Sequence, residues 1–152
     1  MTLILSEKQF EAAYHLLNQT SQKRNGVEAA RLQLVKGLSQ VDAAECMGIT
    51  KQRVYSSVVR IKENLQIILT VKKKLEQLGG DISKKDIYKI SDIVKNISPK
   101  SKSGLAAKLV MVDNLPIEEA SKKVGIPQQN INLAIKHIES NFVRVIEAIN
   151  ML

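Results

Sequence analysis

The sequence predicts an all-α protein: a tandem duplication of a four-helix unit, each copy containing a helix-turn-helix. Three observations predict it. Shifting the chain by 77 residues aligns it with itself without a gap, and about 15 of the 66 pairs between Leu5 and Thr70 are identical, where random pairing would give roughly 4. Proline occurs only at positions 99, 116 and 127, and no window shows sustained period-two alternation. Helix-capping residues and glycines recur at matched places. The strongest part of the match sets Leu38–Val54 against Leu115–Ile131, and the halves divide into residues 1–78 and 79–152.

Helix one is expected to start after Ser6. Ser6-Glu7-Lys8-Gln9 has the form of a capping box, in which the serine oxygen and the glutamine amide cover free N–H groups. Phe10, Ala13, Leu16 and Leu17 then form an apolar stripe. Helix two covers about Val27–Val35, with Ala30, Leu34 and Val35 inward, and Gly37 ends it. Helix three follows Ser39, a good N-cap, with Asp42 in the first turn where the helix dipole favours negative charge. Gly48 ends it by taking the left-handed backbone of a sharp turn. Helix four starts at Thr50 and meets no Gly or Pro before Gly79-Gly80, so it spans about 25 residues, roughly 37 Å.

The second half repeats the plan. Ser83 caps helix five, whose stripe is Ile87, Ile90, Ile93 and Val94. Helix six covers about Gly104–Val112. Helix seven follows Leu115, with Pro116 near a first turn that needs no N–H from it. Gly125 is the turn, and Pro127 opens a helix eight that can run to Met151. Gly79-Gly80-Asp81 is the joint between halves, and Ser21–Gly26 and Ser98–Ser103 are matching polar loops.

Composition narrows the function. The chain has 152 residues, 44% hydrophobic but only 3% aromatic, so its core is aliphatic. The net charge of +8 favours a polyanionic partner, and the first half carries more of it, +5 against +3. Cys46 is the single cysteine, which excludes an intrachain disulfide and fits a reducing compartment; its place in a short helix reads as a buried small side chain. No run approaches the ~18 apolar residues of a membrane span, and the N-terminus has no signal-peptide pattern. A soluble, cytoplasmic protein is expected.

A helix-turn-helix needs a small residue where its helices cross, a tight turn, and apolar residues that fix the angle. Ala44, Gly48, and Met47, Ile49 and Val54 fill these roles in the first half, with Ala43 and Val58 beside them. Ala120, Ser121, Val124, Gly125, Ile126, Ile131 and Ile135 fill them in the second. The outward face of the first recognition helix is then Thr50, Lys51, Gln52, Arg53, Tyr55, Ser56 and Arg60. Arginine pairs with guanine, glutamine with adenine, and Lys, Ser and Tyr hold phosphates. The equivalent second face is Gln128, Gln129, Asn130 and Asn132, with Lys136 and His137 beyond; its first two turns carry no cation. Either it reads bases through amides, the reading favoured here, or it has lost DNA and serves dimerisation or scaffolding.

The first half also resembles the TrfB/KorA-type transcriptional repressors, usually encoded on plasmids. The residues that carry the likeness are Leu5-Ser-Glu-Lys-Gln-Phe10, Ala30-Arg-Leu-Gln-Leu-Val-Lys-Gly37 and the segment Gln40 to Ile61, including Gly48-Ile49-Thr50. The resemblance covers about residues 3–65, and 80–142 more faintly. It implies a repressor docking its recognition helix on operator DNA, and by position it points to Lys51, Gln52, Arg53 and Ser56. In that family a small dimerisation region follows the DNA-binding unit; here a second DNA-binding-like unit stands in its place. The expectation is therefore an asymmetric or extended site, or a homodimer touching four half-sites.

The main alternative is a helical protein-interaction module, with Leu65, Ile68, Leu69, Leu75 and Leu78 as an intermolecular stripe. An enzyme is not expected. His15 and His137 do not cluster with Cys46 or with carboxylates at metal-ligand spacing, and no Gly-rich phosphate loop or nucleophile triad is present. His15 is expected at the margin of helix one and His137 on an exposed face. No cofactor, metal or small-molecule ligand is implied.

Overall fold

A computed structural model describes residues 3–17, 24–94 and 101–152. Among them are eight α-helices and no strand: α1 Glu7–His15, α2 Arg24–Leu34, α3 Gln40–Met47, α4 Lys51–Leu78, α5 Lys84–Ile93, α6 Lys102–Met111, α7 Ile117–Val124 and α8 Gln128–Asn150. The all-α class is as expected.

Local chemistry sets the helix starts. The Ser6 hydroxyl accepts from the Gln9 N–H at 3.1 Å, and the Gln9 side chain accepts from the Ser6 N–H at 2.9 Å, completing the capping box of α1. Ser39 caps α3 through the Asp42 N–H, and Thr50 caps α4 through the Arg53 N–H. Ser83 and Asp86 form a second capping box at α5. Ser101 caps α6 by accepting from the Gly104 N–H, so Lys102 and Ser103 are helical rather than part of a polar loop. Arg24, Asn25 and Gly26 likewise lie in α2; the rest of the two predicted loops falls outside the described residues.

The chain divides into two compact units that do not follow the sequence halves. Unit one is Met1–Thr70 with Ile146–Leu152; unit two is Val71–Val145. The last residues of α4 are thus counted with unit two, and the last of α8 with unit one.

In unit one, α2 packs on α1 and α3. Phe10, Leu34, Val54 and Ile61 are fully buried with Ala29, Ala30 and Ala43 among them. These alanines let helices approach closely, which is why a core with few aromatics still fills. A second cluster joins Ala12 and Ile68 to Ala148, with Leu16, Ile149 and Leu152 packed on it. Helix α1 therefore buries two faces, Ala12 serving a cluster that the stripe Phe10–Ala13–Leu16–Leu17 does not anticipate. Charge reinforces α1 on α2. Arg31 lies 4.5 Å from the Phe10 ring centroid and pairs with Glu7 and Glu11 of α1 and with Glu28 of its own helix.

In unit two, α6 packs on α5 and α7. Ala106, Ala120 and Ile131 form one cluster; Ala107, Met111 and Ile138 form another.

The two halves share backbone detail at positions 77 apart. The N–H of Leu38 bonds the carbonyl of Leu32, and that of Leu115 bonds Leu109. Ile49 bonds Ala44, and Ile126 bonds Ser121. Gly48 and Gly125 are both left-handed, at φ 62° and 77°. Gly37, at φ 76°, is matched by Asn114 at φ 56°, the one non-glycine with positive φ among the described residues. Asparagine tolerates that conformation better than other side chains.

Three expectations are corrected. Cys46 is exposed, because the eight-residue α3 buries only a narrow stripe of Ala43, Ala44 and Met47, and Cys46 lies off it. Leu65 and Ile68 are buried within unit one, so they cannot form an intermolecular stripe; only Leu69 of that set is clearly exposed, at 41%. The third concerns the polar loops, shortened by α2 and α6 as described. No helix among the described residues is long and apolar enough to cross a membrane.

Candidate nucleic-acid interface

The α3–turn–α4 segment is fixed from below. Ala44 is 4% exposed, Val54 is fully buried, and Met47 and Ile49 pack half-buried on the same core. The left-handed Gly48 reverses the chain between the helices. The Gln40 side chain donates to the Lys51 carbonyl at 2.8 Å, joining the first residue of α3 to the first of α4. The start of α4 is therefore held by its cap, by the turn and by this cross-bond.

The inward stripe of α4 is Val54, Val58, Ile61 and Leu65, spaced by four, three and four residues. The other side of its first three turns is open except at the half-buried Val59. Thr50, Lys51, Gln52, Arg53, Tyr55, Ser56 and Arg60 are all exposed, Tyr55 at 55%. Thr50, Gln52, Arg53, Ser56 and Arg60 line one shallow surface depression of about 290 Å³, together with Ser57. Lys51 and Tyr55 lie outside that depression. Sequence reading missed Ser57, whose small hydroxyl borders the depression although its residue is 9% exposed. It also missed Lys62, exposed two residues past Arg60. Among the described residues no ion pair engages Lys51, Arg53, Arg60 or Lys62, so their charge is available to an outside anion.

The hydroxyls on this face are partly committed. Ser56 donates to the Gln52 carbonyl at 3.0 Å, and Ser57 to the Arg53 carbonyl at 3.1 Å. Each oxygen keeps its lone pairs for an incoming donor.

In unit two, α7 and α8 meet at Gly125 with Ala120 and Ile131 fully buried and Val124, Ile126 and Ile135 packed on them. The half-buried Ser121 adds a bond of its own, donating to the Ile126 carbonyl at 2.6 Å. Gln128, Gln129, Asn130 and Asn132 are exposed on the first turns of α8, as are Lys136 and His137. The face is polar but neutral at its start, and it carries Leu133 at 58% exposure.

Elsewhere Arg31 gathers Glu7, Glu11 and Glu28, and Lys36 also pairs with Glu7, a set that joins α1 to α2. His15 ends α1 and contacts Glu147 at 2.8 Å. No group of three or more His, Cys, Asp or Glu that could hold a metal occurs among the described residues.

Comparison with protein-family models, curated proteins and solved structures finds no match to this chain.

Proposed function

We propose that this chain is a sequence-specific double-stranded-DNA-binding transcriptional regulator that inserts residues 50–60 of α4 into the major groove. The observation that carries the reading is the start of α4: a rigidly seated helix whose outward face is open, polar and basic, with four cations in no ion pair among the described residues. A helix in the major groove needs these properties. Two such helix-turn-helix units, arising by tandem duplication, are favoured by the repeated backbone bonds and left-handed residues 77 positions apart. The likeness of the first half to TrfB/KorA-type repressors makes a cytoplasmic plasmid or mobile-element repressor the specific form of the proposal. The second unit adds a weaker contact through Gln128, Gln129, Asn130 and Asn132.

The test is fluorescence anisotropy of the full chain on short duplexes with randomised centres and on DNA upstream of its own gene. Binding should be tight at low salt, and log K should fall linearly with log salt, by about 0.9 per phosphate neutralised. Absence of binding at low salt defeats the proposal.

A second reading has its own support. Unit two exposes Leu105 at 46%, Leu133 at 58% and Val143 at 52%, where the first half has Glu28, Ser56 and Gln66. A second unit given to protein contact, including homodimerisation, would use such side chains. Analytical ultracentrifugation of Leu133→Asp separates the readings: an unchanged mass with weakened DNA binding favours DNA contact, and a fall in mass favours dimerisation.

A further inference from the structure

The DNA-binding reading leaves open which side chains specify sequence and which supply affinity. We infer that α4 divides these tasks by row: Gln52 and Ser56 read an adenine-containing step, while Arg53 and Arg60 on one side and Lys51 and Lys62 on the other grip the two phosphate strands. This inference rests on the function proposed above.

The argument is helical geometry. The buried stripe Val54, Val58, Ile61 and Leu65 fixes the inward direction. At 3.6 residues per turn, the row two residues earlier points almost directly away from it. That row is Gln52, Ser56, Val59 and Glu63. It is the part of the helix that reaches the floor of a groove when the core lies above. Arg53 and Arg60 lie on one flank, roughly 10 Å apart along the axis, and both border the depression. Lys51 and Lys62 lie on the opposite side, nearer the buried stripe than the two arginines are, roughly 16 Å apart. A cation on a flank is placed to meet the backbone at the groove wall.

The central row has the chemistry of base reading. A glutamine amide donates and accepts at once, matching N7 and the N6 amine of adenine. The Ser56 hydroxyl already donates to the Gln52 carbonyl, so its oxygen is left as an acceptor, suited to an exocyclic amine on the next pair. Glu63 continues the row one turn further and is exposed. Its charge opposes close approach of DNA, which limits the reading surface to the first three turns. The matching rows of α8 are different. Gln129 and Leu133 begin the centre, and the flanks hold Gln128, Asn132 and Glu139 on one side and Asn130 and His137 on the other, with neither Lys nor Arg. Lys136, further along the central row, is the exposed cation of this face of α8, so unit one supplies most of the salt dependence.

The test takes the full chain, selects its preferred site from duplexes with randomised centres, and measures binding of Gln52→Ala, Arg60→Ala and Arg60→Lys. Gln52→Ala should lose about tenfold preference at one A·T pair with an unchanged salt slope. Replacing that adenine by a purine lacking the N6 amine should cost the wild type a similar factor and the variant nothing. Arg60→Ala should weaken all sequences alike and reduce the salt slope by about 1, and Arg60→Lys should restore the slope. If Arg60→Ala relaxes base preference, or Gln52→Ala leaves it intact, the division of labour is wrong while DNA binding stands. If no duplex is bound or enriched, both this inference and the proposed function fall.

Discussion

At the scale of single residues, the starts of the helices rest on hydrogen bonds within four residues of chain. Asp86 illustrates how such a bond responds to pH. The Ser83 hydroxyl, and after it the Ser83 backbone N–H, hold the Asp86 carboxyl below the usual carboxylate range. A carboxyl depressed in the folded state adds stability that is complete above its unfolded pKa and fades as pH falls through the lower folded value. Asp86→Asn should therefore lower stability at neutral pH, leave the acid end little changed and so flatten the curve between them, as read by thermal melts between about pH 6 and pH 2. Caps of this kind were legible because sequence neighbours make them. Arg31 was not legible, since its carboxylates come mainly from another helix. A signal was present: Glu7 and Glu11 stand four apart on α1, an arrangement that repels unless a cation from elsewhere lies between. Cys46 was misjudged for a related reason, because a short helix shows too few turns to reveal which face is inward.

At the scale of elements, the α3–α4 connection depends on Gly48. Nothing lies within 4 Å of where its Cβ would stand, so a substitution there suffers only backbone strain at φ 62°. Gly48→Ala should cost about 1–2 kcal/mol, and Gly48→Asn less, measured by urea denaturation. The precedent is internal: Asn114 occupies the left-handed position that Gly37 holds in the first half. The extent of α4 was legible from the absence of Gly and Pro between Thr50 and Gly79, and its exposed face from the spacing of Val54, Val58 and Ile61. Its lower part was less so. Leu65, Ile68 and Leu69 read as one apolar run, but only packing partners distant in sequence decide that the first two are core and the third is surface.

At the scale of the whole molecule, the 77-residue shift gave the number and order of the helices, but not which pieces fold together. The two units divide at residues 70/71 and 145/146, whereas the halves divide at Gly79. No local pattern announces that Ala148, Ile149 and Leu152 pack with Ala12 and Ile68, since their periodicity fits any apolar neighbour. Ala148→Asp places a charge in a fully buried position of unit one and should destabilise it by about 3 kcal/mol or more. The neighbouring Asn150→Asp, on an exposed residue, should be nearly silent. Hydrogen exchange at the amides of α1 is the direct readout: faster exchange there in Ala148→Asp, and not in Asn150→Asp, would show that the first unit depends on the far end of the sequence.

The placement of Ile146–Leu152 has a temporal consequence. A nascent chain emerges in order, so the unit bearing α4 is translated early yet has one side of its interior uncovered until residue 152 leaves the ribosome. Ala12 and Ile68 wait in water through the synthesis of everything between them and Ala148. The half that is made first is the half that finishes last.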